Sequence, residues 1–217
     1  MLNIFVHKID KKKINHKHDI LSKQEKNKAK KFKNAGDLNL YVSGKYLTRK
    51  IISEIFEVGA NDIVFKQDNF NRPKLIYPKS KKFDFNLSHS GNVVALAVSD
   101  NKVGIDIEKI ENIDLKISKD YFHNKEIEFV YSQKGKELEN FYKIWTLKEA
   151  FVKAIGKGLS FPLKSFHFEI KGDNVKIHPE SKWKGWNLKS YGIFPGYKMA
   201  ICSKDIIKLK ISICNFK

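Results

Sequence analysis

Cysteine is scarce: the 217-residue chain holds two, Cys202 and Cys214. Two thiols cannot build a disulfide framework or a four-ligand zinc site, so neither a cross-linked scaffold nor a zinc module is expected. Both fall in strand-like stretches and read as reduced thiols, which fits a reducing compartment. Long apolar runs are missing too. The longest wholly aliphatic one, VVALAV, falls far short of a bilayer's thickness. The opening MLNIFVHKIDKKK turns polar after a few residues, shows no signal-peptide core and reads as a first strand. A soluble, cytoplasmic chain without membrane attachment is expected. Acid is the third shortage: 24 Asp and Glu stand against 42 Lys and Arg, a net charge of +18. That balance selects anionic partners: nucleic acid, an anionic membrane, a phosphorylated small molecule or an acidic protein. No Ser/Gly-rich linker or residue-level repeat interrupts the chain.

What the chain does have is 41% hydrophobic and 12% aromatic residues, ample for a packed core. Ser22 followed three residues later by Glu25 is a capping-box spacing and starts a strongly basic helix through Lys26, Lys28, Lys30, Lys31 and Lys33. A second helix fits DLNLYVSGKYLTRKIISEIF, with Asp37 as cap and Leu40, Gly44, Leu47, Ile51 and Ile55 on one stripe. Gly44 would admit another element closely. FDFNLSHSGNVVALAVSDNKVGIDIEK predicts three strands in an antiparallel meander, with SHSGN as a turn. YFHNKEIEFVYS predicts a short amphipathic helix. ELENFYKIWTLKEAFVKAIGKGL predicts a long one, closed by Gly156 and Gly158. Alternating strands follow to the end. Each half is thus helix plus strands, an α+β chain jointed near Asn101 and packed as one unit.

Three stretches carry the chemistry. In VGIDIEK the period of two sends Val103, Ile105 and Ile107 into the core and puts Gly104, Asp106 and Glu108 on the other face, the two carboxylates about 6.5–7 Å apart along the backbone. Such a pair suits a hard divalent cation, Mg²⁺ for example, although a solvated edge strand would look the same. In WTLKEAFVKAIGKGL, Ile144, Leu147, Phe151, Ala154 and Ile155 form the core stripe, with Glu149 and Lys153 one turn apart on the opposite face. An exposed Glu–Lys pair of that spacing is common and stabilises a helix by only about 0.2–0.5 kcal/mol. In NLSHSG, Ser88 and His89 lie at a hairpin mouth. No GxSxG elbow is present to raise the serine as a nucleophile, so a phosphate-contacting loop or a plain turn is expected.

The three motifs in that order and spacing resemble the 4′-phosphopantetheinyl transferases, in their long, surfactin-synthetase-activating branch. The resemblance runs from the basic helix at Glu25 to GYKMAICS. It implies a pseudo-dimer of two similar α+β halves, here residues 1–101 with coenzyme A contacts and 102–217 with the metal and catalytic motifs, acting as a monomer. It implies transfer of the 4′-phosphopantetheine arm of coenzyme A to a serine of an acidic apo carrier protein, with 3′,5′-ADP leaving. By match to the family motifs, Asp106, Glu108 and Glu149 hold Mg²⁺. Lys153, with Lys148 as a further candidate, contacts the pyrophosphate. Ser88 and His89 contact phosphates, Arg72 lies beside the adenine, and Lys28 lies near the 3′-phosphate with Lys26 or Lys31 as neighbours. The serine proton goes to Glu149, directly or through water, to a water on the metal, or to Glu126. Ile113, Ile117 and Phe122 match the carrier-docking region. One departure stands out: where many relatives carry an arginine reaching the 3′-phosphate, this chain has Leu40. The rival expectation is a basic nucleic-acid-binding module without catalysis, which would leave Asp106 and Glu149 without a task.

Overall fold

The computed structural model describes residues 2–10, 19–172, 174–207 and 211–214. The first half runs β1 (Leu2–Lys8), α1 (Lys23–Ala29), α2 (Ala35–Phe56), β2 (Val64–Gln67), β3 (Pro73–Tyr77), β4 (Asp84–Ser90) and β5 (Val93–Ser99). The second runs β6 (Val103–Lys109), α3 (Ser118–Tyr121), α4 (Asn124–Val130), α5 (Glu137–Ile155), β7 (His167–Lys171), β8 (Asn174–His178), α6 (Glu180–Trp183), β9 (Asn187–Tyr191) and β10 (Tyr197–Ser203). A last strand, β11 (Ile211–Ile213), returns to the first half and pairs with β1 in parallel.

Local chemistry explains most boundaries. The α1 capping box forms as its spacing predicts: the Glu25 amide donates to Ser22 Oγ, and the Ser22 amide to Glu25 Oε2 at 2.9 Å. α2 starts about a turn before the expected Asp37, because Asn34 Oδ1 accepts the amides of Gly36 and Asp37. Its stripe turns inward at Gly44, Leu47 and Ile51, whereas Ile55 lies 46% exposed. A Cβ on Gly44 would come within 2.9 Å of Leu87, so the glycine does permit a close approach. α5 ends at Gly156, whose φ of +70° suits the left-handed cap position.

The halves repeat one topology. β1 pairs with β5 and β5 with β4, all antiparallel, and β6 pairs with β10 and β10 with β9 in the same way. A long helix packs on the outer face of each sheet, α2 on the first and α5 on the second. Between the sheets lies a shared core of Ile4, Val6, Val93 and Ala95 against Ile105, Ile107, Met199 and Ile201. The α+β pseudo-dimer is therefore the architecture. The expected meander is corrected: β6 does not pair with β5 but crosses to β10 in the second sheet. SHSGN is corrected too, since β4 extends through Ser90 and the turn falls at Gly91, φ +59°. Both cysteines are free thiols, Cys202 buried in β10 and Cys214 half-buried after β11.

Candidate active site

β4 alternates Phe85 and Leu87, packed toward α2, with Asp84, Asn86, Ser88 and Ser90 on the other face. That polar face meets the backbone of β6. Asp84 Oδ2 accepts the Val103 amide at 3.1 Å, Asn86 Oδ1 that of Ile105 at 2.9 Å, Ser88 Oγ that of Ile107 at 3.3 Å, and Ser90 Oγ that of Lys109 at 3.0 Å. Side chains here do what a neighbouring strand's carbonyls would do, because buried amides need acceptors. The hydroxyls serve twice: Ser88 Oγ donates to Asp106 Oδ1 at 2.8 Å and Ser90 Oγ to Glu108 Oε2 at 2.7 Å. The seam between the sheets thereby fixes both carboxylates.

The same face of β6 lies against α5. A Cβ on Gly104 would overlap the Ala150 carbonyl and the Ala154 amide, so glycine is what lets the helix backbone lie directly on the strand. Glu149 and Lys153 are consequently pressed onto the seam instead of facing water. Lys153 reaches Asp106 Oδ1 at 2.6 Å and Ser88 Oγ at 3.1 Å. Its carbonyl accepts from Arg72 Nη1.

Asp106 is 2% and Glu149 9% exposed, and neither Asp106 Oδ2 nor Glu149 Oε1 has a hydrogen-bond partner among the described residues. Burial pushes the Glu149 carboxyl up to about 7, with Asp106 and Glu108 adding to the rise and Lys153 opposing it. Burial, then the charge of Asp106, likewise raises Glu108 against the Ser90 hydrogen bond. Orphaned carboxylate oxygens in a crowded acidic site are a donor set of the kind a hard divalent cation takes. As the side chains stand, no three carboxylate, imidazole or thiol groups among the described residues close into a ligand set. Lys153 holds one Asp106 oxygen in that arrangement.

Other expected site residues fall elsewhere. Glu126 is sealed: wholly buried, it pairs with buried Lys148 at 2.8 Å and accepts the amides of His123 and Phe168. Lys148 spends its remaining donors on the carbonyls of Leu163 and Phe166. Neither meets the seam's solvent face, and in this arrangement the two form a buried structural pair. Arg72 lies between the halves. Its guanidinium binds Asp84 Oδ2 and the carbonyls of Phe85, Val103 and Lys153, and so straps β4, β6 and α5 together. His89 points away from Ser88, exposed, with its imidazole held below the ordinary range by partial burial and by Lys153. Lys28 and Lys31 lie exposed on and just after α1. Ile113 and Ile117 are each 39% exposed, but Phe122 is core at 1%. Asp84, Asn86 and Ser90 escaped the sequence reading; their signal was the period-two polar face of DFNLSHS.

Comparison with known proteins follows the same division of the chain. A family model described as the 4′-phosphopantetheinyl transferase superfamily matches residues 102–202, and one described as 4′-phosphopantetheinyl transferase, N-terminal, matches residues 8–101. The chain is 30% identical over 216 residues to the 4′-phosphopantetheinyl transferase gsp of Aneurinibacillus migulanus, spanning 95% of this chain and 90% of the relative. It is 34% identical over 185 residues to the 4′-phosphopantetheinyl transferase Sfp of Bacillus subtilis, spanning 84% and 82%. It is 33% identical over 167 residues to the human L-aminoadipate-semialdehyde dehydrogenase-phosphopantetheinyl transferase, spanning 71% and 54%. Among solved structures, the holo-[acyl-carrier-protein] synthase of Thermotoga maritima aligns with a TM-score of 0.39 at 21% identity, over 47% of this chain and 61% of that one.

Proposed function

The chain belongs to the 4′-phosphopantetheinyl transferase family, and from that premise we propose that it moves the arm of coenzyme A onto a serine of an acidic apo carrier protein. The serine hydroxyl forms a new bond to the phosphorus that carries the pantetheine. The bond from that phosphorus to 3′,5′-ADP breaks, and the nucleotide leaves. The observation that carries this reading is the convergence of Asp106, Glu149, Lys153 and Ser88 on one seam, with two buried carboxylate oxygens lacking partners.

Asp106, Glu108 and Glu149 would hold Mg²⁺, which when bound acts as a Lewis acid and neutralises charge on the phosphoryl oxygens. The protein's own part is positioning and charge. Lys153, which now meets Asp106 and Ser88, would offer its ammonium to the pyrophosphate. Ser88, whose one hydroxyl proton goes to Asp106, holds that carboxylate in register beside Lys153. With Glu126 paired away from the seam, Glu149 is the carboxylate placed to accept the serine proton, directly or through water. The basic surface steers an acidic carrier, so its encounter should weaken with salt. Ile113 and Ile117, exposed beside the acidic strand, offer apolar contacts to it. No helix among the described residues is long and apolar enough to cross a membrane. Action as a cytoplasmic monomer, without nucleic acid, completes the proposal.

The test is the intact mass of an apo carrier protein incubated with the chain, coenzyme A and Mg²⁺. A mass gain equal to the phosphopantetheine arm, absent with EDTA and absent for Glu149→Ala, is expected. No gain across acyl and peptidyl carriers, with no binding of coenzyme A, would refute it.

A further inference from the structure

Away from the seam, three histidines distant in sequence stack face to face on the second half. His123 caps α4, His167 opens β7, and His178 closes β8 as the cross-strand partner of His167. The His123 and His167 rings lie 4.4 Å apart at 19°, and the His167 and His178 rings 4.9 Å apart at 14°. All three are half-buried, and the column joins the start of α4 to the open end of the β7–β8 hairpin.

Each outer ring is fixed by a bond of its own. His123 Nδ1 accepts the Lys125 amide at 3.2 Å, so that nitrogen carries no proton. His178 Nε2 faces Glu169 Oε2 at 3.1 Å, but Glu169 also pairs with Lys171 at 2.7 Å and stands across from Lys176. Among the described residues no carboxylate bonds the middle ring. Glu126, on α4, is spent on Lys148 of α5 and on the amides of His123 and Phe168. Burial, then His123 and His178, then Lys125 and Lys148 act against a proton on His167 and bring its imidazole from 6.5 down to about 4. One proton on an outer ring leaves a cation stacked on a neutral neighbour. A second sets two cations at stacking distance, and a proton on His123 Nδ1 turns the cap's acceptor into a donor.

We propose that this imidazole column is a proton-operated latch: when it charges, the rings part, α4 loses its cap, and the β7–β8 hairpin lifts from α4 while the two main sheets stay folded. An opened His167 takes its proton near 6.5 and a closed one near 4. The closed latch is therefore fully favoured above about 6.5 and weakens as pH falls toward 4. The device is independent of coenzyme A and of the carrier.

Hydrogen exchange of the full chain, followed by mass spectrometry at pH 8 and pH 5 and corrected for intrinsic rates, tests it. A shift of that size gives about 30-fold easier opening at pH 5, so peptides over residues 123–130 and 167–178 should lose at least about tenfold protection. Peptides over β5 and β10 should change less than about threefold. His167→Phe keeps a ring in the column without a titrating nitrogen and should hold the latch's own pH response below about threefold. His123→Asn keeps a cap acceptor, so its protection at pH 8 should stay within about threefold of wild type while its pH response shrinks. Imidazole signals in a nuclear magnetic resonance titration should show His167 protonating well below 6.5. An equal loss of protection in β5 and β10, a full pH response surviving in both variants, or a His167 that titrates at its ordinary value would overturn the proposal.

Discussion

Replacing Glu126 by glutamine should unfold the protein early without disabling its chemistry. Lys148 has three ammonium protons and three acceptors: Glu126 Oε2 at 2.8 Å, the Leu163 carbonyl at 2.8 Å and the Phe166 carbonyl at 3.1 Å. Both side chains are wholly buried, and the ring of Phe166 stands 4.2 Å from the ammonium. Glu126 in turn accepts the amides of His123 and Phe168, so one pair ties α4, α5, the turn after α5 and β7. Glutamine brings a donor where three donors already converge and leaves a buried ammonium without its counter-charge. Breaking a buried pair from one side costs about 3–5 kcal/mol. At about 2–4 °C per kcal/mol for a chain of this size, the melting temperature should fall by about 6–20 °C.

The reverse change, Lys148→Met, should be milder and pH-dependent. Burial already raises the Glu126 carboxyl above its ordinary value against the pull of Lys148, and losing the cation raises it further. A carboxyl raised on folding contributes stability below its unfolded value, near 4.5, and loses it as pH climbs through the folded value. Lys148→Met should therefore be less destabilised at pH 5 than at pH 8, while the pair of changes together costs less than the sum of the singles. Urea titration at both pH values, with carrier modification assayed well below the transition, reads all of this. A Glu126→Gln protein that loses less than about 1 kcal/mol, or that keeps its stability and loses transfer, would refute the structural assignment and return Glu126 to the chemistry.

Asp106→Asn and Glu149→Gln should each lower transfer by at least about 100-fold, the scale of losing one preorganised charge at a reacting phosphoryl group. Chelation should abolish wild-type activity and added Mg²⁺ restore it, both read by carrier mass. Gly104→Ala should cost more than about 3 kcal/mol, because the new methyl meets helix backbone that cannot move aside; urea unfolding of the soluble fraction checks it, and a neutral result would refute the packing of α5 on β6. Arg72→Met removes a guanidinium with four acceptors and should cost about 3 kcal/mol. Its coenzyme A affinity, measured on the folded fraction, should change less than its stability.

The parts of the site that were readable from sequence are those with a local rule. Alternation in VGIDIEK put Asp106 and Glu108 on one face, and helical spacing put Glu149 one turn from Lys153, both as found. The capping box at Ser22 and the stop at Gly156 were legible for the same reason. What failed depended on partners far along the chain. β6 looked like the next strand of a meander because sequential strands usually pair, yet its amides are taken by side chains of β4. Nothing near Lys148 or Arg72 announces that their charges are spent on carbonyls 13 to 81 residues away. Glu126 shares its residue type with Glu149, and only the structure shows that Lys148 and two amides take up its oxygens.

The duplicated fold also explains why the seam carries one acidic site and not two. Both half-sheets keep the same register: Leu2 opposes Ser99 as Val103 opposes Ser203, and Lys8 opposes Val93 as Lys109 opposes Tyr197. Position by position, Phe5 then stands where Asp106 does, and His7 where Glu108 does. Phe5 packs into the cluster under α2, an apolar contact in place of the contact between Asp106 and α5. His7 Nδ1 meets the Cys214 carbonyl at 2.7 Å, so that position serves to hold the chain's last strand. The inward residues, Ile4 and Val6 against Ile105 and Ile107, are aliphatic in both copies because both face the shared core. Divergence is confined to the face that meets a helix. In the first half that face is packing, and β4's polar edge serves its neighbour; in the second half it carries the carboxylates, and Gly104 lets α5 lie close enough for Lys153 to reach Asp106.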